Sequence, residues 1–313
     1  MQSTHTARAE SRRGLLLIML AAVLWGTVGI STKTIYGLAA TTPLTVGFLR
    51  LALSLPVLLI LCWARVKRRM FRISAADFAL MLLVGLMTAL YQVCYFSAIE
   101  LTGVAVATLV TLCTAPVMVA VISTAVTRRR PAGYVLIALL GALTGTALLV
   151  LFQHQGGISG SNTGGVLLAL GSAFGYAVVA VVSQRLSSRY DPFQSIAISF
   201  SLGAVTLFCC TQSQGLELNF TPACWLLLVY LGTVPTALAY ALFFSGMRST
   251  PATVASVSTL LEPMVATLLA WLIFGESFAP MALLGVIILS GSLVILYRGG
   301  TNPLRKIRES RLN

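Results

Sequence analysis

Apolar runs of membrane-spanning length recur along almost the whole chain, from residue 14 to residue 297. A bilayer core of about 30 Å needs roughly 20 apolar residues to be crossed as an α-helix. Ten runs of this kind can be read, separated by Arg, Gly, Pro or polar clusters: approximately 14–36, 43–64, 75–98, 103–125, 132–152, 164–185, 192–211, 222–247, 252–275 and 279–297. Only helices and closed barrels satisfy every backbone polar group inside lipid, and these runs lack the alternation of barrel strands. The expected fold class is an all-α polytopic membrane protein with ten transmembrane helices.

Composition removes the alternatives. Hydrophobic residues make up 58% and charged residues 9% of the 313, and the mean hydropathy is +0.93. Soluble domains carry about 25% charged residues, so this chain cannot cover a water-facing surface. Disorder needs low hydrophobicity, which is absent. The net charge of +13 would suggest nucleic acid in a soluble protein; here it reports topology, and no nucleic-acid partner is expected.

The cations are distributed on one side. Arg8, Arg12 and Arg13 precede the first run, and Arg65, Lys67, Arg68, Arg69 and Arg72 lie between the second and third. Arg128, Arg129 and Arg130 follow the fourth, Arg185 and Arg189 the sixth, and Arg248 the eighth. Arg298, Arg305, Lys306, Arg308 and Arg311 close the chain. All but Lys33 and Arg50 of the 21 Lys and Arg residues therefore fall on one face if there are ten spans. The positive-inside rule then places both termini and the even-numbered connections in the cytoplasm of a bacterial-type inner membrane. Segment 153–163, which has no Lys or Arg, is expected as a periplasmic loop. Nine or eleven spans would scramble this separation. Arg12 and Arg13 ahead of an apolar run imitate a signal peptide, but the run continues past Trp25 without a convincing A-x-A site, so the first span is read as retained. The expected units are a tail over 1–13, five spans over 14–152, the loop 153–163, five spans over 164–297, and a basic tail over 298–313.

The two five-span units resemble each other. LYQVCYFSAI (90–99) parallels LAYALFFSGM (238–247), and the same offset aligns Thr102, Val106, Ala107, Thr111 and Leu112 with Thr250, Val254, Ala255, Thr259 and Leu260. TAPV (114–117) meets LEPM (261–264), and ALLG (138–141) recurs at 282–285. Single matches come easily in Leu/Ala-rich sequence; their common order along four helices does not. An odd number of spans per unit forces the second unit into the membrane upside down. Inverted repeats of this kind build secondary transporters, with the site near the midplane between them.

With AAVLWG (21–26), FLRLALSLPVLL (48–59), the prolines of TAPV and LEPM, and FGESFAPMALLGVIILSG (274–291), the chain resembles EamA-type members of the drug/metabolite transporter superfamily. The likeness spans residues 14–297. It implies a ten-helix fold of two inverted five-helix repeats around a central cavity, and export of small metabolites. It also implies peripheral fifth and tenth helices, for which GALTG (141–145), Gly285 and Gly291 suit close contact.

An unpaired charge costs about 2.5–3.5 kcal/mol at a helix centre even on the milder scale, so Lys33, Arg50 and Glu262 are the intramembrane charges to explain. Glu262 precedes Pro263, which removes a helix hydrogen bond and is expected to free the Thr259 carbonyl. Pro116 is expected to do the same for Leu112. Glu262 can exchange a proton, meet a substrate ammonium, or be a buried carboxylate bonded to another helix. Arg50, at a position where the resembling family often carries an arginine, suits an ion pair or helix-terminus clamp, or direct anion binding. Lys33 can snorkel to the interface.

Thr88, Tyr91, Gln92 and Tyr95 share one helix face by their spacing, and Tyr240 and Phe244 hold related positions. With Trp25 and Tyr176 they form a candidate cage for an organic solute; tyrosines and a glutamine gluing helices together are the competing reading. Glu100 and Glu276 sit at span ends and are read as solvated.

No cofactor, metal or catalytic residue is expected. The six cysteines lie in or beside apolar runs without metal-ligand spacing to His5 or His154, and no Walker sequence appears. A secondary transporter leads, carrying a small-molecule substrate such as an amino acid or related amine or drug, with proton coupling or facilitated diffusion both open. A membrane enzyme or a sensor is the alternative, lacking reactive groups and a soluble domain respectively. Membrane lipid is the expected surroundings, and a monomer or weak homodimer the expected state.

Overall fold

The computed structural model describes residues 2–153, 163–212, 215–216, 218–274 and 279–300. Among them ten helices are long and apolar enough to cross a membrane. They are α1 (Glu10–Leu38), α2 (Pro43–Phe71), α3 (Ala75–Val104), α4 (Val106–Thr127), α5 (Gly133–Phe152), α6 (Thr163–Ser187), α7 (Pro192–Gln212), α8 (Pro222–Met247), α9 (Ala252–Ile273) and α10 (Pro280–Gly299). No strand occurs among the described residues. The all-helical, ten-span expectation holds. Residues 154–162, which make up most of the expected 153–163 loop, Glu276 and residues 301–313 lie outside the described residues.

Local chemistry sets the helix ends. Thr42 accepts from the Thr45 amide at 3.2 Å, and Thr221 from the Cys224 amide at 3.3 Å. In each case a proline, Pro43 or Pro222, follows the cap, where its missing N–H costs nothing. Ser74 caps α3 in the same way, accepting from the Asp77 amide at 3.1 Å.

Three expectations change in detail. The segment read as an N-terminal tail is helical from Gln2 and continuous with α1. The α3–α4 turn is not a loop but a single break at Gly103, with φ 78° and ψ 163°. A glycine takes this conformation without penalty. The chain folds back there, since the Tyr95 and Thr108 hydroxyls meet at 2.7 Å; thirteen residues along a straight helix would be about 20 Å apart. The tightened turn before Pro263 is the third, and it bears on the site below.

Packing is long and pairwise: α3 lies along α6, α1 along α8, α2 against α7 and α5 against α10. In the last pair the backbones nearly touch. A Cβ on Gly285 would lie 2.7 Å from the Gly145 carbonyl oxygen, whereas one on Gly291 would meet nothing within 4 Å. Gly291 thus makes no close helix contact.

Burial is uneven along the bundle. The face bearing the α2–α3, α4–α5, α6–α7 and α8–α9 connections is called the basic face below. All seven residues of Ala252–Ser258 are buried there: Ala252 and Ala255 pack with Ile18, Phe200, Phe243, Phe244 and Met247, none more than 1% exposed, and Val254 and Val257 pack with Leu15, Val135 and Leu293. Past this layer α9 opens, and Leu261, Glu262, Met264, Val265 and Ala266 are only half-buried.

Candidate functional site

Two prolines shape the backbone at mid-depth. Pro235, within α8, has no N–H for the Leu231 carbonyl. The helix widens over Thr233–Leu238, and the Thr236 hydroxyl donates to that carbonyl instead at 2.6 Å. The same hydroxyl oxygen accepts from Arg50 Nε at 3.4 Å. A wide turn of this type inside an α-helix commonly marks a functional position. Here it places an oxygen against a cation that stands about two turns inside α2. Reading the sequence for charges alone passes over Pro235 and Thr236; a proline inside span eight was the available signal.

Pro263 acts differently from the expectation. The Thr259 carbonyl is not free, because the Glu262 amide donates to it at 2.9 Å. The chain tightens by one residue over Thr259–Leu260, and a new helix begins at Leu261. Pro263 then lies in the first turn of that helix, where no N–H is required. Pro116 is buried, and its helix runs on without a break.

Around these turns the aromatic side chains form a connected set. The Trp25 ring meets Tyr240 edge-on at 4.9 Å and Phe243 at 5.3 Å, and Tyr240 meets Phe200 at 4.8 Å. The Tyr240 and Tyr91 hydroxyls are 2.8 Å apart, and Tyr91 stacks edge-on against Tyr176 at 6.3 Å. Tyr176 Oη lies 3.1 Å from Thr259 Oγ1, which itself donates to the Ser256 carbonyl. Tyr230 donates to Thr27 Oγ1 at 3.0 Å. The Trp25 Nε1 hydrogen is buried without a partner.

Tyr91, Tyr95, Tyr176 and Glu262 are all half-buried within the bundle. Glu262 is within electrostatic reach of all three tyrosines and of Arg50. Arg50 reaches Tyr91 and Tyr240 as well. Among the described residues the two charges are not joined as an ion pair: Arg50 donates through Nε to Thr236, and the Arg189–Asp77 salt bridge lies elsewhere.

Two further candidates for the cage, Phe244 and Gln92, and the intramembrane charge Lys33 lie apart from this set. Phe244 is fully buried, 6.3 Å from Phe243 in the packed layer. Gln92 is 8% exposed, its amide donates to the Thr88 carbonyl at 3.3 Å, and its other end fills the space over Gly47. It packs α3 on α2. Lys33 is exposed near the end of α1 away from the basic face.

A ten-helix membrane bundle with opposite charges and an aromatic girdle at mid-depth defines a membrane transporter. The chain belongs to the EamA-like transporter family, which matches residues 12–151 and again 163–298. It is 29% identical over 283 residues to the uncharacterized transporter YwfM of Bacillus subtilis, covering 90% of this chain and 92% of that one. It is 27% identical to the uncharacterized inner membrane transporter YicL of Salmonella typhimurium, covering 92% and 96%. An uncharacterized transporter of Archaeoglobus fulgidus is 30% identical, covering 90% and 96%. A solved crystal structure shares the fold with a TM-score of 0.78 at 20% identity, covering 92% of this chain and 99% of that one.

Proposed function

We propose that the protein is a secondary transporter of the inner membrane that exports a small organic metabolite by alternating access, the solute being an amino acid or a related amine or drug. The observation that carries this reading is the pair Arg50 and Glu262. Two charges at membrane depth that do not pair with each other are costly, and we read them as facing one cavity where a zwitterion would satisfy both, its carboxylate on the Arg50 fork and its ammonium on Glu262. The aromatic rings between them suit an apolar or aromatic body.

The two units, 14–152 and 164–297, act as inverted repeats. The packing pairs α1–α8 and α3–α6 exchange, and α2–α7 and α5–α10 map onto themselves, when helices one to five are swapped with six to ten. The double family match supports the same division. The basic face is cytoplasmic, with both termini there, and the chain works as a monomer or weak homodimer. Transport rather than enzymatic chemistry fits the relatives' names.

Purified protein in proteoliposomes, loaded with a panel of amino acids, amines and organic acids, tests this directly. Zwitterions should leave faster than matched anions or cations lacking one of the two groups. Efflux of none of the panel above empty liposomes would refute it. Reporters fused after Arg72, Arg130 and Arg189 should signal cytoplasm, and one within 153–163 the periplasm; the reverse pattern would overturn the orientation.

A further inference from the structure

We infer that Asp77 and Arg189 form a latch that holds the basic face shut, and that it must open in every transport cycle. The inference rests on the alternating-access reading above.

Asp77, in the first turn of α3, is 3% exposed. Its carboxylate receives the Ser74 hydroxyl at 2.9 Å, Arg189 Nη1 at 3.1 and 3.2 Å, and the Tyr190 hydroxyl at 3.0 Å. The Ser74 amide donates to the same Tyr190 oxygen at 3.3 Å. Arg189 and Tyr190 lie in the α6–α7 connection, so these bonds join the first five helices to the second five. Close by, Gln194 Nε2 of α7 donates to the Met70 carbonyl at 2.9 Å, and Arg65 of α2 stands 5.1 Å over the Phe193 ring.

The far side of the same connection is braced within the second unit. Arg248 donates to the carbonyls of Ser187 and Tyr190, both at 2.9 Å. Gln184 bonds the Thr250 carbonyl at 3.3 Å and the Ala252 amide at 3.1 Å. The α6–α7 and α8–α9 connections therefore move as one piece, and that piece carries the buried Ala252–Ser258 segment. What ties it to the first unit by charge is Asp77. The Arg189 side chain is 51% exposed, so water can replace its bond when the pair parts. A wholly buried pair would resist opening, because separation would strand a charge. Bonds that are strong but reachable by water suit a contact made and broken repeatedly.

The test uses the full chain with its native cysteines replaced and one cysteine at Ala255, a fully buried position in the closed layer. Inside-out and right-side-out vesicles receive an impermeant maleimide. With the latch intact, labelling from the basic face should be slow. Arg189→Gln and Asp77→Asn should each raise its rate roughly tenfold, the population shift expected from losing one charge-assisted hydrogen bond. Arg189→Gln is the safer variant, since its side chain is half in water. A second arm places cysteines at 77 and 189 and joins them with a reducible bifunctional thiol reagent: efflux should stop and return on reduction. Unchanged labelling in Arg189→Gln, or full efflux with the two positions joined, overturns the latch. The labelling arm needs no substrate and no assumption about which face is cytoplasmic. Faster labelling in protein that moves no tested solute would keep the latch while refuting the solute reading.

Discussion

The Tyr91 and Tyr240 hydroxyls lie 2.8 Å apart at the centre of the bundle, joining α3 to α8. Burial differs around the bond: Glu262 and Tyr176 keep accessible surface, whereas Phe243 and Phe244 are at most 1% exposed. Tyr91→Phe and Tyr240→Phe should each cost about 1 kcal/mol of stability, the ordinary net value of one hydrogen bond. The double variant should lose little more than either alone, since both remove the same bond. Thermal melts in detergent measure this; fully additive losses would mean that each hydroxyl serves another partner.

Arg50 should depend on Thr236. Thr236→Val keeps the shape but removes the oxygen that accepts from Arg50 and the hydroxyl that covers the Leu231 carbonyl. It leaves that carbonyl unpaired, at a cost of about 1–3 kcal/mol. We expect the KM for a zwitterionic solute to rise several-fold with a smaller change in maximal rate. Arg50→Lys should do worse, because an ammonium cannot form the two-pronged contact of a guanidinium. Efflux kinetics in proteoliposomes separate the two parameters. A Thr236→Val variant with wild-type KM would detach the hydroxyl from substrate binding.

Glu262 offers a cleaner contrast. Glu262→Gln removes its charge at nearly constant size. If the carboxylate meets the substrate ammonium, the variant should fall at least tenfold in kcat/KM for zwitterions and less for solutes without an ammonium. If it also exchanges a proton, accumulation driven by a pH gradient should vanish while solute exchange persists. Wild-type rates and gradient dependence together would assign Glu262 a structural role.

The α5–α10 contact predicts a stability effect remote from the site. Gly285→Leu must push apart backbones whose nearest atoms would lie 2.7 Å from the new Cβ, an overpacking that costs about 1–3 kcal/mol. Gly291→Leu, with open space beside it, should be close to neutral. Equal melting temperatures for the two variants would contradict the described packing.

The span count, the helix faces and the two mid-depth charges are legible in the sequence because each rests on hydropathy, period or charge, which need no partner. Trp25, Tyr91, Tyr176 and Tyr240 could be named for the same reason. What separates Tyr95 from Gln92 is not legible. Both lie on one face of α3, and the difference comes from Gly47 of another helix, whose missing side chain leaves the space that Gln92 fills. Phe244 was misplaced on similar grounds, since its depth is set by its neighbours in the packed layer. Asp77 was readable as part of a Ser-x-x-Asp helix start, but its link to Arg189 crosses 112 residues, and a single sequence does not carry that distance. The tightened turn that satisfies the Thr259 carbonyl is a backbone rearrangement; the proline rule names the missing donor and leaves its substitute open.

Single cysteines in a cysteine-free chain turn this difference into an observable. Tyr95 and Glu262 keep accessible surface at mid-depth, whereas Gln92 is 8% and Phe244 0% exposed. Cysteines at 95 and 262 should therefore react with a water-soluble maleimide added from the face opposite the basic one, and those at 92 and 244 should remain protected. Substrate should slow the reaction at 262 more than at 95, because Glu262 is the group proposed to hold its ammonium, while the Tyr95 hydroxyl is already engaged by Thr108 at 2.7 Å. Closing the opposite face, by joining nothing and only releasing the Asp77–Arg189 latch with Arg189→Gln, should lower reactivity at both exposed positions from that side. Reactivity at 92 equal to that at 95 would show that α3 turns a different face to water, and would remove Tyr95 from the proposed site.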